Sequence, residues 1–265
     1  MNERERRHTL RDLRAMKREG RPIVCLTAYD ASFARILDVA GVDLVLVGDS
    51  LGMVVQGHDT TVPVRLEDMI YHTRCVARGV TRALLCADLP FATYGTPDQA
   101  LESAARLMRE GGAQMVKLEA SLNQAEIVRH LSDQGVPVCA HLGLRPQSVH
   151  KLGGYRRQGS DEASAAQMIE DAGSLVRHGA DLLLVECVPG RLAAEIRANV
   201  DVPVIGIGAG PDCDGQILVL YDVLGVSAGG LPPFARSFLP GTESIQEAVS
   251  AYVQAVRQGR FPPKD

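Results

Sequence analysis

The stretch Val42-Asp43-Leu44-Val45-Leu46-Val47-Gly48-Asp49-Ser50-Leu51-Gly52-Met53 decides how the chain is read. Leu44 to Val47 is a continuous apolar run, the pattern of a strand covered on both faces, as in a parallel sheet flanked by helices. It breaks off in a carboxylate and a hydroxyl, Asp49 and Ser50. The polar segment that follows, through Gln56-Gly57-His58-Asp59-Thr60-Thr61, reads as a flexible loop. In α/β proteins, chemistry gathers where buried parallel strands end.

Seven further runs repeat the pattern on either side of this one. They are Ile23–Leu26, Ala83–Ala87, Met115–Leu118, Val136–Ala140, Leu182–Val185, Val202–Ile207 and Ile217–Leu220. Helix-period segments separate them, and their punctuation is readable. Thr96-Pro97-Asp98-Gln99 is a capping box with proline at the first helical position, and that helix runs to Gly111-Gly112. Leu66, Met69, Ile70, Thr73, Val76 and Ala77 form one face of a helix closed by Gly79. Ser244 and Glu247 open a last helix striped by Ile245, Val249, Tyr252, Val253 and Val256. Leu10, Leu13 and Met16 mark a short amphipathic helix near the N-terminus, whose interleaved acids and arginines read as a solvated face.

Alternating strands and helices mean right-handed βαβ units and a parallel sheet. Eight such strands in one domain spanning residues 1–265 are expected to form a (β/α)₈ barrel with a short N-terminal helix. An open dinucleotide-binding sheet would carry G-x-G-x-x-G after the first strand, but Tyr29-Asp30-Ala31-Ser32 stands there. Gly206-Ile207-Gly208-Ala209-Gly210 is late, wrongly spaced and followed by Pro211, so it reads as a close-packed strand end. One span does not fit: Gly208–Gln216 is too short for a helix, so the barrel is irregular there or the eighth run is misplaced.

With 265 residues, 46% hydrophobic and 23% charged, the chain has the composition of a globular protein. Twenty-eight basic against 32 acidic side chains give a net charge of −4, which offers no electrostatic case for nucleic acid or an anionic membrane. No apolar run is long enough to span a bilayer. The start, Met1 to Arg7, has charges of both signs and no apolar core, unlike a signal peptide. None of the six cysteines has C-x-x-C spacing, and Cys25, Cys86, Cys139 and Cys187 read as small core-filling thiols in a reducing compartment. A cytoplasmic protein is expected.

The strand ends carry the chemistry. Asp49, Asp88, Glu119, His141 and Glu186 close the second to sixth strands, and in a barrel these ends share one rim. Any one carboxylate alone could cap the next helix; the run of five points to one cavity. Of four lysines, only Lys117 lies inside an apolar strand. Alternation puts it on the same face as Glu119. It could form a Schiff base or remain charged and hold an anionic substrate. Clustered carboxylates suit Mg²⁺, with Asp49 and Asp88 as ligands and Glu119 binding directly or through water. A cation chelated by a 2-oxo acid would stabilise the enolate formed on loss of the adjacent proton. Glu186, behind Leu182 to Val185, is the candidate base, its pKa raised by apolar surroundings. His141 could be a ligand, a core histidine or, as assigned here, a donor to substrate.

Several of these segments together resemble the ketopantoate hydroxymethyltransferase family. They are Val47-Gly48-Asp49-Ser50-Leu51-Gly52-Met53 with Gln56-Gly57-His58-Asp59, Ala87-Asp88-Leu89-Pro90-Phe91 and Val116-Lys117-Leu118-Glu119. His141-Leu142-Gly143-Leu144, Leu152-Gly153-Gly154-Tyr155, Glu186-Cys187-Val188-Pro189 and Ile205–Gly210 continue the match, which runs in order from Thr27 to Phe238. The resemblance implies a barrel of the phosphoenolpyruvate/pyruvate superfamily and a decameric, Mg²⁺-dependent cytoplasmic enzyme. It implies transfer of a hydroxymethyl group from 5,10-methylenetetrahydrofolate to 3-methyl-2-oxobutanoate, giving 2-dehydropantoate for pantothenate and coenzyme A synthesis. It places metal ligands on Asp49, Asp88 and Glu119, substrate contacts on Asp49, Ser50, Asp88 and Lys117, and the proton acceptor on Glu186. It also implies that Lys117 holds substrate rather than forming an imine. Rival readings are a folate-independent lyase or aldolase acting on a 2-oxo acid, and a non-catalytic ligand-binding barrel.

Overall fold

A computed structural model describes residues 6–263. The reading of Met1 to Glu5 as unlike a signal peptide therefore lies outside the described residues. Eight parallel strands close into a barrel in chain order: β1 (Ile23–Thr27), β2 (Leu44–Val47), β3 (Leu84–Asp88), β4 (Met115–Glu119), β5 (Val138–Gly143), β6 (Leu182–Glu186), β7 (Val204–Ile207) and β8 (Gly215–Leu218). β8 pairs with β1 in parallel, Ile23 opposite Gly215, which closes the ring. Among the described residues no helix is long and apolar enough to cross a membrane.

Around the barrel run α1 (Leu10–Glu19), α2 (Ala31–Ala40), the single turn α3 (Leu51–Val54), α4 (Leu66–Ala77), α5 (Pro97–Arg106) and α6 (Ala125–Asp133). They are followed by α7 (Val149–Leu152), α8 (Glu162–Arg177), α9 (Gly190–Ala198), α10 (Leu220–Leu224) and α11 (Ile245–Arg257). The caps form for the expected reason. Thr96 Oγ1 accepts the Gln99 N–H at the start of α5, and Ser244 Oγ accepts the Glu247 N–H at the start of α11. The α5 helix ends in a π-helical turn, Leu107–Gly111, and Gly112 stops it at φ 84°.

Strand alternation sorts each β residue to the barrel interior or to the helix layer. Cys25, Cys86, Cys139 and Ile205, from the four odd strands, stand inside, as do Leu44, Lys117, Leu182 and Ile217 from the even ones. This is the layered filling of a closed barrel, in which alternate strands supply each layer. The three cysteines are core-filling thiols, and burial pushes the Cys139 thiol up to about 12.

The irregular span is explained by how the barrel closes. A loop replaces the helix between β7 and β8, and Cys213 folds down onto Gly206 so tightly that a Cβ there would stand 2.6 Å from its Sγ. The eighth strand begins at Gly215, earlier than the apolar run suggests, and ends at Leu218; Val219 and Leu220 already belong to the cap and first turn of α10. Tyr252 of α11 seals the seam between β8 and β1, its hydroxyl reaching the carbonyls of Gln216 (3.2 Å) and Cys25 (3.0 Å).

Beneath the barrel, α1 buries Leu13 and Met16 completely. Its polar face is only partly solvated: Arg14 pairs with Asp181 at 2.7 Å and Lys17 with Asp214 at 2.9 Å. The helix is thus clamped to the floor rather than resting there by its apolar face alone.

Candidate active site

Residues expected just beyond the strands lie within their last pairs. Asp88 stands opposite Lys117, Glu119 opposite His141, and Gly143 opposite Glu186. The pleat therefore points Asp88, Glu119, His141 and Glu186 the same way, up the interior towards the C-terminal mouth. Asp49 joins them two residues past β2. The segment after it is folded rather than a loose loop: α3 starts at Leu51, and the His58 N–H donates back to the Gly52 carbonyl at 2.8 Å.

The cluster is knitted by a few hydrogen bonds. The Lys117 ammonium donates to Asp88 Oδ1, and the Asp49 N–H donates to Asp88 Oδ2 at 3.0 Å. Gln147, on the turn Pro146–Ser148 after β5, ties the rest together. Its backbone N–H donates to Glu119 Oε1 at 2.8 Å, and its side-chain Nε2 donates to Asp49 Oδ2 at 2.8 Å and to the Leu89 carbonyl at 3.0 Å. Tyr94 fixes that amide by donating to Gln147 Oε1 at 2.5 Å. Sequence reasoning missed Gln147 and Tyr94; both lie on loops, where no periodicity marks a residue. Ser50 shares a 2.8 Å hydrogen bond with the Tyr29 hydroxyl.

Asp49, Asp88, Lys117, Glu119 and His141 are each at most 5% exposed. One ammonium faces three carboxylates, and the charges do not balance. Burial and then the Asp88 carboxylate raise the Asp49 pKa. Burial and then Asp49 push Glu119 up to about 8. Burial opposes the Lys117 ammonium, but Asp88, Asp49 and the hydrogen bond to Asp88 outweigh it, and its pKa rises. Burial, followed by the Lys117 charge, drives the His141 pKa well down, so the imidazole is neutral.

Glu186 is set apart on the opposite wall. His141 Nε2 lies 3.2 Å from its Oε2, outside hydrogen-bonding alignment, and the Glu186 side chain keeps 16% of its surface exposed. Burial pushes its pKa up to about 7, the range suited to a base at neutral pH. The backbone around it is tightly constrained. Gly143 has φ 90°, and a Cβ there would stand 2.2 Å from the Glu186 carbonyl oxygen. The Leu144 N–H donates to that oxygen at 2.8 Å. Cys187, the next residue, takes a left-handed φ of 49°, a conformation that costs a non-glycine residue energy and concentrates at functional sites.

The donor set suits a hard divalent cation. It consists of oxygens, burial and then a neighbouring carboxylate raise the pKa values of Asp49 and Glu119, and Glu119 Oε2 is buried without a hydrogen-bond partner. Among the described residues no three His, Cys, Asp or Glu side chains form a ready metal cage. Asp88 is engaged by Lys117 and the Asp49 N–H, so the three expected ligands are neighbours but not a preformed triad. One or two carboxylates, with water and substrate completing the shell, is the pattern Mg²⁺ favours.

Known proteins resemble this chain in sequence and in fold. The model of the ketopantoate hydroxymethyltransferase family matches residues 7–264. A 3-methyl-2-oxobutanoate hydroxymethyltransferase of Alkalilimnicola ehrlichii is 60% identical over 254 residues, covering 96% of this chain and 92% of its own. Among solved structures, a putative phosphonomutase from Burkholderia cenocepacia superposes with a TM-score of 0.63 at 20% identity, over 82% of this chain and 95% of that one. A phosphonopyruvate hydrolase in complex with oxalate and Mg²⁺ superposes with a TM-score of 0.58 at 14% identity, over 96% and 88%. At these identities the structural neighbours speak for the fold alone, a closed barrel of eight parallel strands.

Proposed function

This chain belongs to the ketopantoate hydroxymethyltransferase family, and from that premise we propose that it transfers a one-carbon unit from 5,10-methylenetetrahydrofolate to 3-methyl-2-oxobutanoate. The product is 2-dehydropantoate, on the route to pantothenate in the cytoplasm. The observation that carries the reading is the separation of two kinds of carboxyl at one mouth. Asp49, Asp88 and Glu119 crowd around one lysine, while Glu186 stands alone on the far wall with its pKa raised to about 7.

In this reading Asp49 and Asp88, with Glu119 directly or through water, hold Mg²⁺. When bound, the cation neutralises the crowded carboxylates and polarises the carbonyl of the 2-oxo acid. Lys117, kept charged by Asp88, binds the substrate carboxylate, and Ser50 adds a hydrogen bond. Glu186 takes the proton from C3, and the neutral His141 beside it, its ring nitrogens buried without a hydrogen-bond partner, is the further donor to the substrate. The carbon left at C3 forms a bond to the folate methylene, both C–N bonds of that methylene break, water supplies the hydroxyl, and the C3 proton and the remaining water proton go to the two freed folate nitrogens. The Lys117 ammonium, pinned by its carboxylate partner, is a poor nucleophile, which supports charge pairing over imine formation. A homo-oligomer, read as a decamer, belongs to the same proposal.

The deciding experiment measures loss of 3-methyl-2-oxobutanoate with the folate and Mg²⁺ supplied separately and together. The expected result is product only when both are present. Cleavage or condensation without folate would replace this reading with a lyase or aldolase.

A further inference from the structure

A recess of about 240 Å³ opens at the mouth beside the carboxylate cluster, between the loops after β3, β4 and β5. Phe91, Tyr94, Asn123 and Arg145 line it, and Glu119 and Gln147 form the wall it shares with the cluster. The proposed use of Lys117, Asp49 and Asp88 on the 2-oxo acid leaves this recess unassigned.

Three features mark it as built for a ligand. Phe91 leaves 47% of its surface exposed at the recess, a large apolar ring left in water. Ala92, next to it, takes a left-handed φ of 62°, and the Gln99 amide holds its carbonyl at 3.0 Å; strain of this kind persists where the surroundings enforce it. Among the described residues the half-buried Arg145 guanidinium makes no hydrogen bond or ion pair, although its charge is felt at His141. Tyr94, by contrast, is immobilised through its bond to Gln147. Two aromatic faces and an uncommitted fork of donors suit a planar ring system joined to carboxylates. The volume is below that of a site enclosing a whole drug-sized ligand, so the ring would enter and the remainder lie outside.

We propose that this recess docks the one-carbon carrier, its bicyclic pterin ring against Phe91 and Tyr94 and the carboxylates of its glutamate tail at Arg145. The inference rests on the reading of a reduced folate as co-substrate. The shared wall of Glu119 and Gln147 then brings the carrier's methylene to the cluster from the β3–β5 side, while Glu186 faces it from β6. Base and electrophile approach the substrate from different walls, so neither has to leave for the other.

The test uses the full-length protein with Mg²⁺ and the variants Arg145→Ala, Arg145→Lys and Phe91→Ala. Three quantities are read: KM for 5,10-methylenetetrahydrofolate, KM for 3-methyl-2-oxobutanoate, and folate-independent exchange of the C3 proton for deuterium. Arg145→Ala is expected to raise the folate KM at least tenfold, and Phe91→Ala at least fivefold. Both should leave the oxo-acid KM and the exchange rate within twofold, which also reports that the variants fold. Arg145→Lys should recover part of the loss. Binding of a tetrahydropterin lacking the glutamate tail should weaken in Phe91→Ala and stay unchanged in Arg145→Ala. Unchanged folate KM values alongside intact exchange would overturn the assignment of the recess. Absence of exchange in the unmodified protein would instead overturn the underlying reading, and this inference with it.

Discussion

The two rims of the barrel use the same side chains for opposite ends. At the floor, three aspartates each meet both a strand N–H and a cation. Asp43 accepts from Val24 N at 2.8 Å and pairs with Arg257 at 2.7 Å. Asp181 accepts from Val138 N and pairs with Arg14. Asp214 accepts from Val204 N at 2.9 Å and holds both Lys17 and Arg197, at 2.9 and 2.6 Å. At the mouth, Asp49, Asp88 and Glu119 share Lys117, and among the described residues Glu186 has no cation paired with it. A buried charge with its partners supplied holds structure together; the same charge left short of partners is costly and waits for one from outside. The barrel thus keeps stability at one end and reactivity at the other.

Removing a mouth carboxylate should therefore help the fold where removing a floor carboxylate harms it. The larger effect is expected for Glu186→Gln with chelator present. Glu186 titrates at about 7 in the folded chain against an ordinary 4.5. Between those values the native state holds more protons than the unfolded one, so stability falls as pH rises through the window. Each tenfold change in proton affinity is worth about 1.4 kcal/mol, which makes the loss across the window on the order of 3 kcal/mol. Thermal unfolding at pH 5 and pH 8 checks it. The variant should gain on the unmodified protein at pH 8 and lose that advantage near pH 5. A gap that does not change with pH would break the contrast.

A smaller effect of opposite sign is expected at the floor. Asp214→Asn keeps one acceptor but turns an amide towards Lys17 and Arg197, and should cost about 2 kcal/mol in denaturant unfolding. Turnover per folded molecule should stay within twofold, because Asp214 lies at the far end of the barrel. A fall in turnover that outruns the loss of folded protein would show that the rims are not independent.

What is legible in the sequence follows the same division. Strands buried on both faces announce themselves as unbroken apolar runs, and a charge closing such a run has few structural excuses. Asp49, Asp88, Glu119, His141 and Glu186 are visible for that reason, and Lys117 because it interrupts an apolar strand. Gln147 is invisible: it bridges Asp49 and Glu119 from a turn with no periodicity, and its role comes only from the path of the chain after β5. Arg14 and Lys17 read as solvated charges, since no local pattern tells an arginine that faces water from one clamped to Asp181, 167 residues away. The eighth strand is misbounded by its apolar pattern because α10 follows it at once, and Ile217–Leu220 reads as one run across both elements.

The central claim is that Glu186 removes the C3 proton of a 2-oxo acid held at the Asp49–Asp88–Lys117 cluster. The most direct measurement follows deuterium entering C3 of 3-methyl-2-oxobutanoate in heavy water, with Mg²⁺ and no folate. Exchange is expected with the unmodified protein, and its rate should fall by about 10³-fold in Glu186→Gln, as for loss of a general base. Exchange that continues at the original rate in Glu186→Gln would contradict the account.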